Sequence, residues 1–208
     1  MTQHVAEQLQ THLGSNSELV QLTAAHGAPV IATKQAFAEA AETAHEMLRQ
    51  AIADGVIFDK VLLACFGDPG LESMQHLTDK PVFGLARASM QVAERLGKPY
   101  AIVTAGAPWE SILLQRFRHW GSSPLFRGVY VISGTGLDVF HTPLATIPAV
   151  QQAISEGQNN GAENIILGGA VFAGFGTLMQ KNSGQSQGTI DCARSAAYLL
   201  SDAENLIP

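Results

Sequence analysis

The chain has 208 residues, 46% hydrophobic and 14% charged, a balance that excludes a disordered chain and suffices for one large domain or two small ones. Twelve basic against 18 acidic residues leave a net charge of −6 with no long basic run, which argues against nucleic acid or an anionic membrane as partner. Apolar stretches are short and broken by glycine or charge, so no transmembrane helix is expected, and Met1-Thr2-Gln3-His4-Val5-Ala6-Glu7 lacks the basic start and apolar core of a signal peptide. Two cysteines make no disulfide scaffold, so the reading is a cytoplasmic protein with reduced thiols.

Val5, Leu9 and Leu13, at four-residue steps, predict an amphipathic helix over residues 3–13, closed by Gly14. Residues 18–23 alternate apolar and polar side chains and read as a strand, with 28–31 as a further extended piece. From Thr33 to about Ala53 a helix carries Phe37, Ala40, Ala41, Ala44, Leu48 and Ile52 on one face and ends at Gly55. Residues 60–65 are an apolar strand that opens into Phe66-Gly67-Asp68-Pro69-Gly70, with a helix from about Leu71. Then come a strand at 81–85, a helix at 86–96 ended by Gly97, and a strand at 100–104. A helix follows from Pro108, suited to a first helical turn, to about His119, with Gly121 as its stop. Further strands are expected at 129–133 and 164–167, the latter running into Gly168-Gly169, with a helix at 147–156 between them. The polar stretch 182–189 reads as a surface loop or weak strand, and the last helix as 191–202 with Asp191 as its N-cap. Buried strands alternating with helices indicate an α/β protein with a mostly parallel sheet covered on both faces.

Cys65 ends a buried strand at a turn before a helix, where α/β enzymes hold catalytic groups and where helix-terminal N–H groups favour a thiolate. Simple packing is the competing reading, since cysteine is commonly buried. Thr104 also ends a strand, so its hydroxyl and nearby N–H groups suit a carboxylate or imide oxygen in the same crevice, or else only cap a turn. Gly134-Thr135-Gly136 lacks the third glycine of a dinucleotide fingerprint, and no P-loop is present. The seven histidines show no metal-ligand spacing, so no metal is expected; His26, in a loop after a strand, either approaches a ligand or, as is usual for a loop histidine, is incidental. Trp109, Phe117 and Trp120 read as core or interface aromatics.

In order along the chain, Ala64-Cys65-Phe66-Gly67-Asp68-Pro69-Gly70-Leu71, Pro81-Val82-Phe83-Gly84-Leu85, Ala101-Ile102-Val103-Thr104, Ile166-Leu167-Gly168-Gly169-Ala170 and Ile190-Asp191 resemble the hydantoin racemase branch of the aspartate/glutamate racemase superfamily. The resemblance covers nearly the whole chain. It implies a cofactor-independent racemase of small amino-acid derivatives such as 5-substituted hydantoins, and a homo-oligomer. Two similar α/β lobes would enclose the active site, the first formed by residues 1–92 plus 191–208 and the second by 93–190. In such enzymes one cysteine from each lobe faces each side of the substrate α-carbon, because one side chain does not easily reach both faces. Cys65 matches the first of these cysteines. Phe66, Gly67, Asp68, Thr104, Gly168 and Gly169 would then bind substrate, with Thr104 and the turns at Gly67 and Gly168 as anion donors.

Three departures qualify the resemblance. Gly169 stands where the family has its second cysteine, and Cys192 falls on a glycine position at the start of the last helix, from which it would have to substitute spatially. Arg87 replaces a residue that is often acidic. The chain opens at Met1-Thr2, within what resembles the family's first helix, so a strand and an N-P-N-T-S turn are expected to be missing. A single-cysteine enzyme that works on one face, like the superfamily's arylmalonate decarboxylases, and a degenerate ligand-binding member therefore stand beside the racemase reading.

Overall fold

The computed structural model describes residues 1–31, 33–121, 123–184 and 188–201. The final residue of the expected last helix, 202, the end of the expected first lobe, 202–208, and positions 185–187 of the polar stretch lie outside the described residues.

Helix α1 (Thr2–Gln10) packs Val5, Ala6 and Leu9 inward. The described residues from there to Thr33 form neither helix nor strand, so the strand expected at 18–23 and the extended piece at 28–31 do not join a ladder. Val20 is 59% exposed and Leu22 47%, which gives the reason: alternation makes a strand only where a neighbouring edge takes up its hydrogen bonds and one of its faces.

Helix α2 (Lys34–Ala53) starts where the Thr33 hydroxyl accepts from the Ala36 N–H. Leu48 and Ala51 are its buried residues, whereas Ile52, expected on the inward face, is exposed. Strand β1 (Val61–Leu63) pairs in parallel with β2 (Val82–Gly84), and the short α3 (Leu71–Gln75) connects them. Helix α4 (Leu85–Arg95) follows directly from β2.

The second sheet has the order β4-β3-β5-β6 and is parallel throughout, built from β3 (Tyr100–Ala105), β4 (Phe126–Ile132), β5 (Asn164–Leu167) and β6 (Thr189–Asp191). Helix α5 (Pro108–His119) links β3 to β4, with proline in its first turn as anticipated. Between β4 and β5 come α6 (Gly136–His141), which the sequence reading did not anticipate, and α7 (Pro143–Asn159). Helix α7 begins at Pro143, before the expected residue 147, with that proline in its first turn. Pro148 is tolerated inside the helix on its exposed side. After β5, a 3₁₀ turn at Ala170–Phe172 leads into α8 (Phe175–Ser183), also unanticipated, and α9 (Cys192–Leu200) closes the described chain.

The pleat sorts the second sheet's side chains into two cores. Ile102, Ile166 and Ile190 face α1, α4, α5 and α9, while Ala101, Val103, Ile165 and Leu167 face α7 and α8. Both faces are covered, which is why β3 and β5 read as continuous apolar runs. Among the described residues, no helix is long and apolar enough to cross a membrane.

Gly157 lets α7 approach this sheet, since a Cβ there would lie 3.0 Å from Ile165 Cδ1 and 3.4 Å from both Ala101 Cβ and Tyr130 Cδ2. Gly157→Val is expected to lower stability by about 1–3 kcal/mol through overpacking, measured by urea denaturation.

Candidate active site

Parallel strands point their C-terminal ends the same way, and here the ends of β1, β3 and β5 open onto one cavity of about 470 Å³. Cys65, Phe66, Thr104, Gly168 and Gly169 line it at those strand ends, as does Trp109 at the start of α5. The far wall comes from α2, through Ala36, Ala40, Ala44 and Leu48, and from the loop carrying Thr23, His26 and Val30. Glu39, His26 and Cys65 are the ionisable side chains of the described lining, which contains no lysine or arginine.

The turn after β1 is built around a buried carboxylate. Asp68 is fully enclosed, with Oδ1 accepting from the Ala86 N–H at 2.9 Å and Oδ2 from the Arg87 N–H at 2.7 Å. It thereby caps α4, whose own N-cap is Gly84 and offers no side chain. Gly84 must be glycine, because a Cβ there would collide with the Asp68 carboxyl group. Burial pushes that carboxyl up to about 7, against the two N–H donors and the Arg116 charge. Gly67, at φ 102°, brings the chain against the Trp109 ring, which a Cβ would meet at 2.8 Å. Neither Gly67 nor Asp68 is part of the described lining; both shape the turn that presents Cys65.

The half-buried Cys65 thiol does not have the lowered pKa expected beside helix-terminal N–H groups. Burial first, and the Asp68 charge second, push it up to about 12. The sign reverses because enclosure disfavours the thiolate, and the nearby Asp68 charge adds to that.

Opposite this turn, Gly168 donates its N–H to the Val103 carbonyl at 2.8 Å, so that donor continues the ladder instead of facing a ligand. A Cβ at Gly168 would come within 2.6 Å of Ile102 Cγ2 and 2.8 Å of Phe66. Thr104 differs: it lines the cavity, and its hydroxyl has no hydrogen-bond partner among the described residues. Cys192 is fully buried at the start of α9, outside the lining, with its Sγ donating to the Gly169 carbonyl at 3.4 Å. Burial and the adjacent Asp191 hold this thiol well above its ordinary pKa. Asp191 caps α9 as anticipated, accepting from the Ala193 and Arg194 N–H groups, and also accepts from the Gly174 N–H at 2.6 Å.

Of the aromatic trio, Phe117 is core, stacked on Phe126 at 4.9 Å, whereas Trp109 reaches the cavity. Arg87 holds its guanidinium over the Trp120 ring at 5.9 Å, outside the described lining. The α2 wall and Glu39 had no signal in the sequence beyond helical periodicity. Among the described residues, no three His, Cys, Asp or Glu side chains come together as a metal site.

Residues 1–200 match the profile of the family described as Asp/Glu/hydantoin racemase. A hydantoin racemase of Paenarthrobacter aurescens is 29% identical over 188 residues, covering 88% of this chain and 78% of that protein. A hydantoin racemase of Pseudomonas sp. (strain NS671) is 29% identical over 140 residues, 67% of this chain but only 55% of that protein. Among solved structures, the allantoin racemase from Pseudomonas fluorescens superposes with a TM-score of 0.87 at 25% identity, over 97% of this chain and 84% of the other.

Removing the Asp68 carboxylate leaves two buried N–H donors unpaired, at about 1–3 kcal/mol each. Asp68→Ala is therefore expected to lose about 2–4 kcal/mol in chemical denaturation, and its Cys65 thiol to titrate at lower pH than in the parent.

Proposed function

Because this chain belongs to the Asp/Glu/hydantoin racemase family, we propose that it moves the α-proton of a small, neutral carbon acid of the hydantoin type, with Cys65 as the proton carrier. The observation that carries this reading is that Cys65, of the two cysteines, borders the cavity at the strand ends. A thiolate formed from so weak a thiol is a strong base, which suits an α-carbon far less acidic than an ordinary thiol. The unpartnered Thr104 hydroxyl is suited to donate to the enolate oxygen that develops as the proton leaves. A lining without lysine or arginine favours a neutral ring over a free amino-acid carboxylate, and its apolar α2 wall favours a hydrophobic substituent. Proton transfer of this kind requires no cofactor.

Inversion needs a second proton carrier on the opposite face. Gly169 has no side chain to serve, and Cys192 lies outside the lining, bonded to the Gly169 carbonyl. We assign the role to His26, an imidazole in the lining and a natural general acid–base. The same absence at Gly169 favours a second reading, a single-thiol enzyme that exchanges or delivers a proton on one face, as in a decarboxylation.

Single enantiomers of 5-substituted hydantoins in deuterated buffer separate these readings. The parent protein is expected to incorporate deuterium at C5, and Cys65→Ser to lose the exchange by about 10³-fold or more, while Cys192→Ser stays within a few-fold. Inversion lost in His26→Ala, with exchange retained, supports the two-base racemase; exchange without inversion in the parent supports the one-face enzyme. Undiminished exchange in Cys65→Ser overturns both. No turnover of any hydantoin leaves a ligand-binding role.

The pH dependence has a definite sign. Only the thiolate accepts a proton, and the thiol lies at about 12, so below that value each pH unit raises the reactive fraction. The exchange kcat/KM is expected to climb by up to about tenfold per pH unit from pH 6 to 10, least steeply near 7, where Asp68 ionises and holds the Cys65 proton more tightly. A flat profile counts against Cys65 as the base.

A further inference from the structure

We propose that Arg116 is a positioning residue for this chemistry: from α5, packed on the second sheet, it holds the turn that presents Cys65 at the end of the first. The kinetic part of this inference rests on the α-proton reading above.

The guanidinium grips two successive carbonyls of that turn, with Nε donating to Gly67 O at 3.2 Å and Nη2 to Asp68 O at 3.3 Å. The Gly67–Asp68 peptide is thus held at both ends, since its N–H donates to the Cys65 carbonyl at 3.1 Å. A continuous chain of hydrogen bonds runs from Arg116 through one peptide unit to the backbone of Cys65 itself. Asp68 adopts a left-handed φ of 55°, a conformation that costs a residue with a side chain some strain and that the surrounding bonds offset. Its carboxylate ties the turn to α4 on one side, and Arg116 ties it to α5 on the other.

Arg116 is itself fixed. Glu72 accepts from Nη2 through both carboxylate oxygens, at 2.9 and 3.0 Å, and Trp120 stacks on the guanidinium at 4.8 Å while donating its Nε1–H to Glu72 at 3.0 Å. With 16% of its side chain exposed, the group is largely shielded from water. A lysine offers one ammonium in place of a planar fork and does not reproduce two carbonyl bonds together with the carboxylate pair. The position of Cys65 relative to Thr104 and Gly169 therefore depends on Arg116, and proton transfer is steeply sensitive to small displacements of the reacting groups.

The test uses the full chain with Arg116→Met, Arg116→Lys and, as control, Arg118→Met, an exposed neighbour on the same helix. Arg116→Met is expected to lower kcat for deuterium exchange by about 10- to 100-fold with KM within about threefold, and Arg116→Lys to recover only a small part. Added guanidinium at low millimolar concentration should partly restore the Met variant, an effect that general damage to folding would not show. Independently of substrate, iodoacetamide should alkylate Cys65 several-fold faster in Arg116→Met, and unchanged in Arg118→Met, each in a Cys192→Ser background. Parent-like kcat and parent-like alkylation in Arg116→Met, or a Lys variant equal to the parent, overturn the proposal. If the parent exchanges no hydantoin, the functional reading fails and the alkylation rates alone decide the role of Arg116.

Discussion

Burying a carboxylate is unfavourable unless its oxygens are paired, and the Cys65 turn is organised around that constraint at Asp68. Its two oxygens take the Ala86 and Arg87 N–H groups in the first turn of α4, which ties the turn after β1 to that helix. Gly84 has no Cβ because the carboxylate occupies that space, and Asp68 itself adopts a left-handed conformation. The cavity inherits the consequence. Burial disfavours the Cys65 thiolate, and a partly compensated negative charge stays close to the sulfur. The result is a weakly acidic thiol, suited to taking a proton from carbon and poorly suited to acting as a resting nucleophile.

The turn at the end of β5 is held in a different way. Gly168 continues the ladder through Val103, and the Gly169 carbonyl accepts from Cys192 behind it. Asp191 joins that region to α9 by accepting from Gly174 as well as from its own helix. Each half of the cavity floor thus rests on an aspartate that caps a helix. Only the β1 side carries a thiol at the surface of the cavity, and this asymmetry underlies both functional readings.

The first sheet is small, and its pairing explains the cavity's extent. Val61 donates to the Pro81 carbonyl, so the pleat turns the backbone groups of Leu62 and Ala64 toward the opposite edge, along the cavity wall. The loop before α2 lines the same cavity without joining a ladder, and Val20 and Leu22 remain exposed although their spacing suits a strand. Space between the loop and the strand is what carries the cavity from Cys65 back to Leu48.

Much of the architecture was legible in the residues. Strand 164–167, the Pro108 helix and the Asp191 cap follow from local rules, because apolar runs, a first-turn proline and a capping carboxylate act within a few residues of themselves. Helices α6 and α8 were not legible: α6 spans six residues and its packing partner, the 3₁₀ turn, lies about thirty residues further along the chain, and α8 follows a glycine-rich stretch that reads as a loop. The motif order around Cys65 indicated the family and placed Cys65, Thr104 and Gly169 at strand ends. Only the tertiary structure decided what those positions can do. It enclosed Asp68, raised rather than lowered the Cys65 thiol, put Cys192 behind Gly169, and brought Arg116 and His26 to the site from elements remote in sequence. Spacing along a chain encodes local conformation, whereas a proton affinity depends on which charges and donors lie within a few ångströms in space.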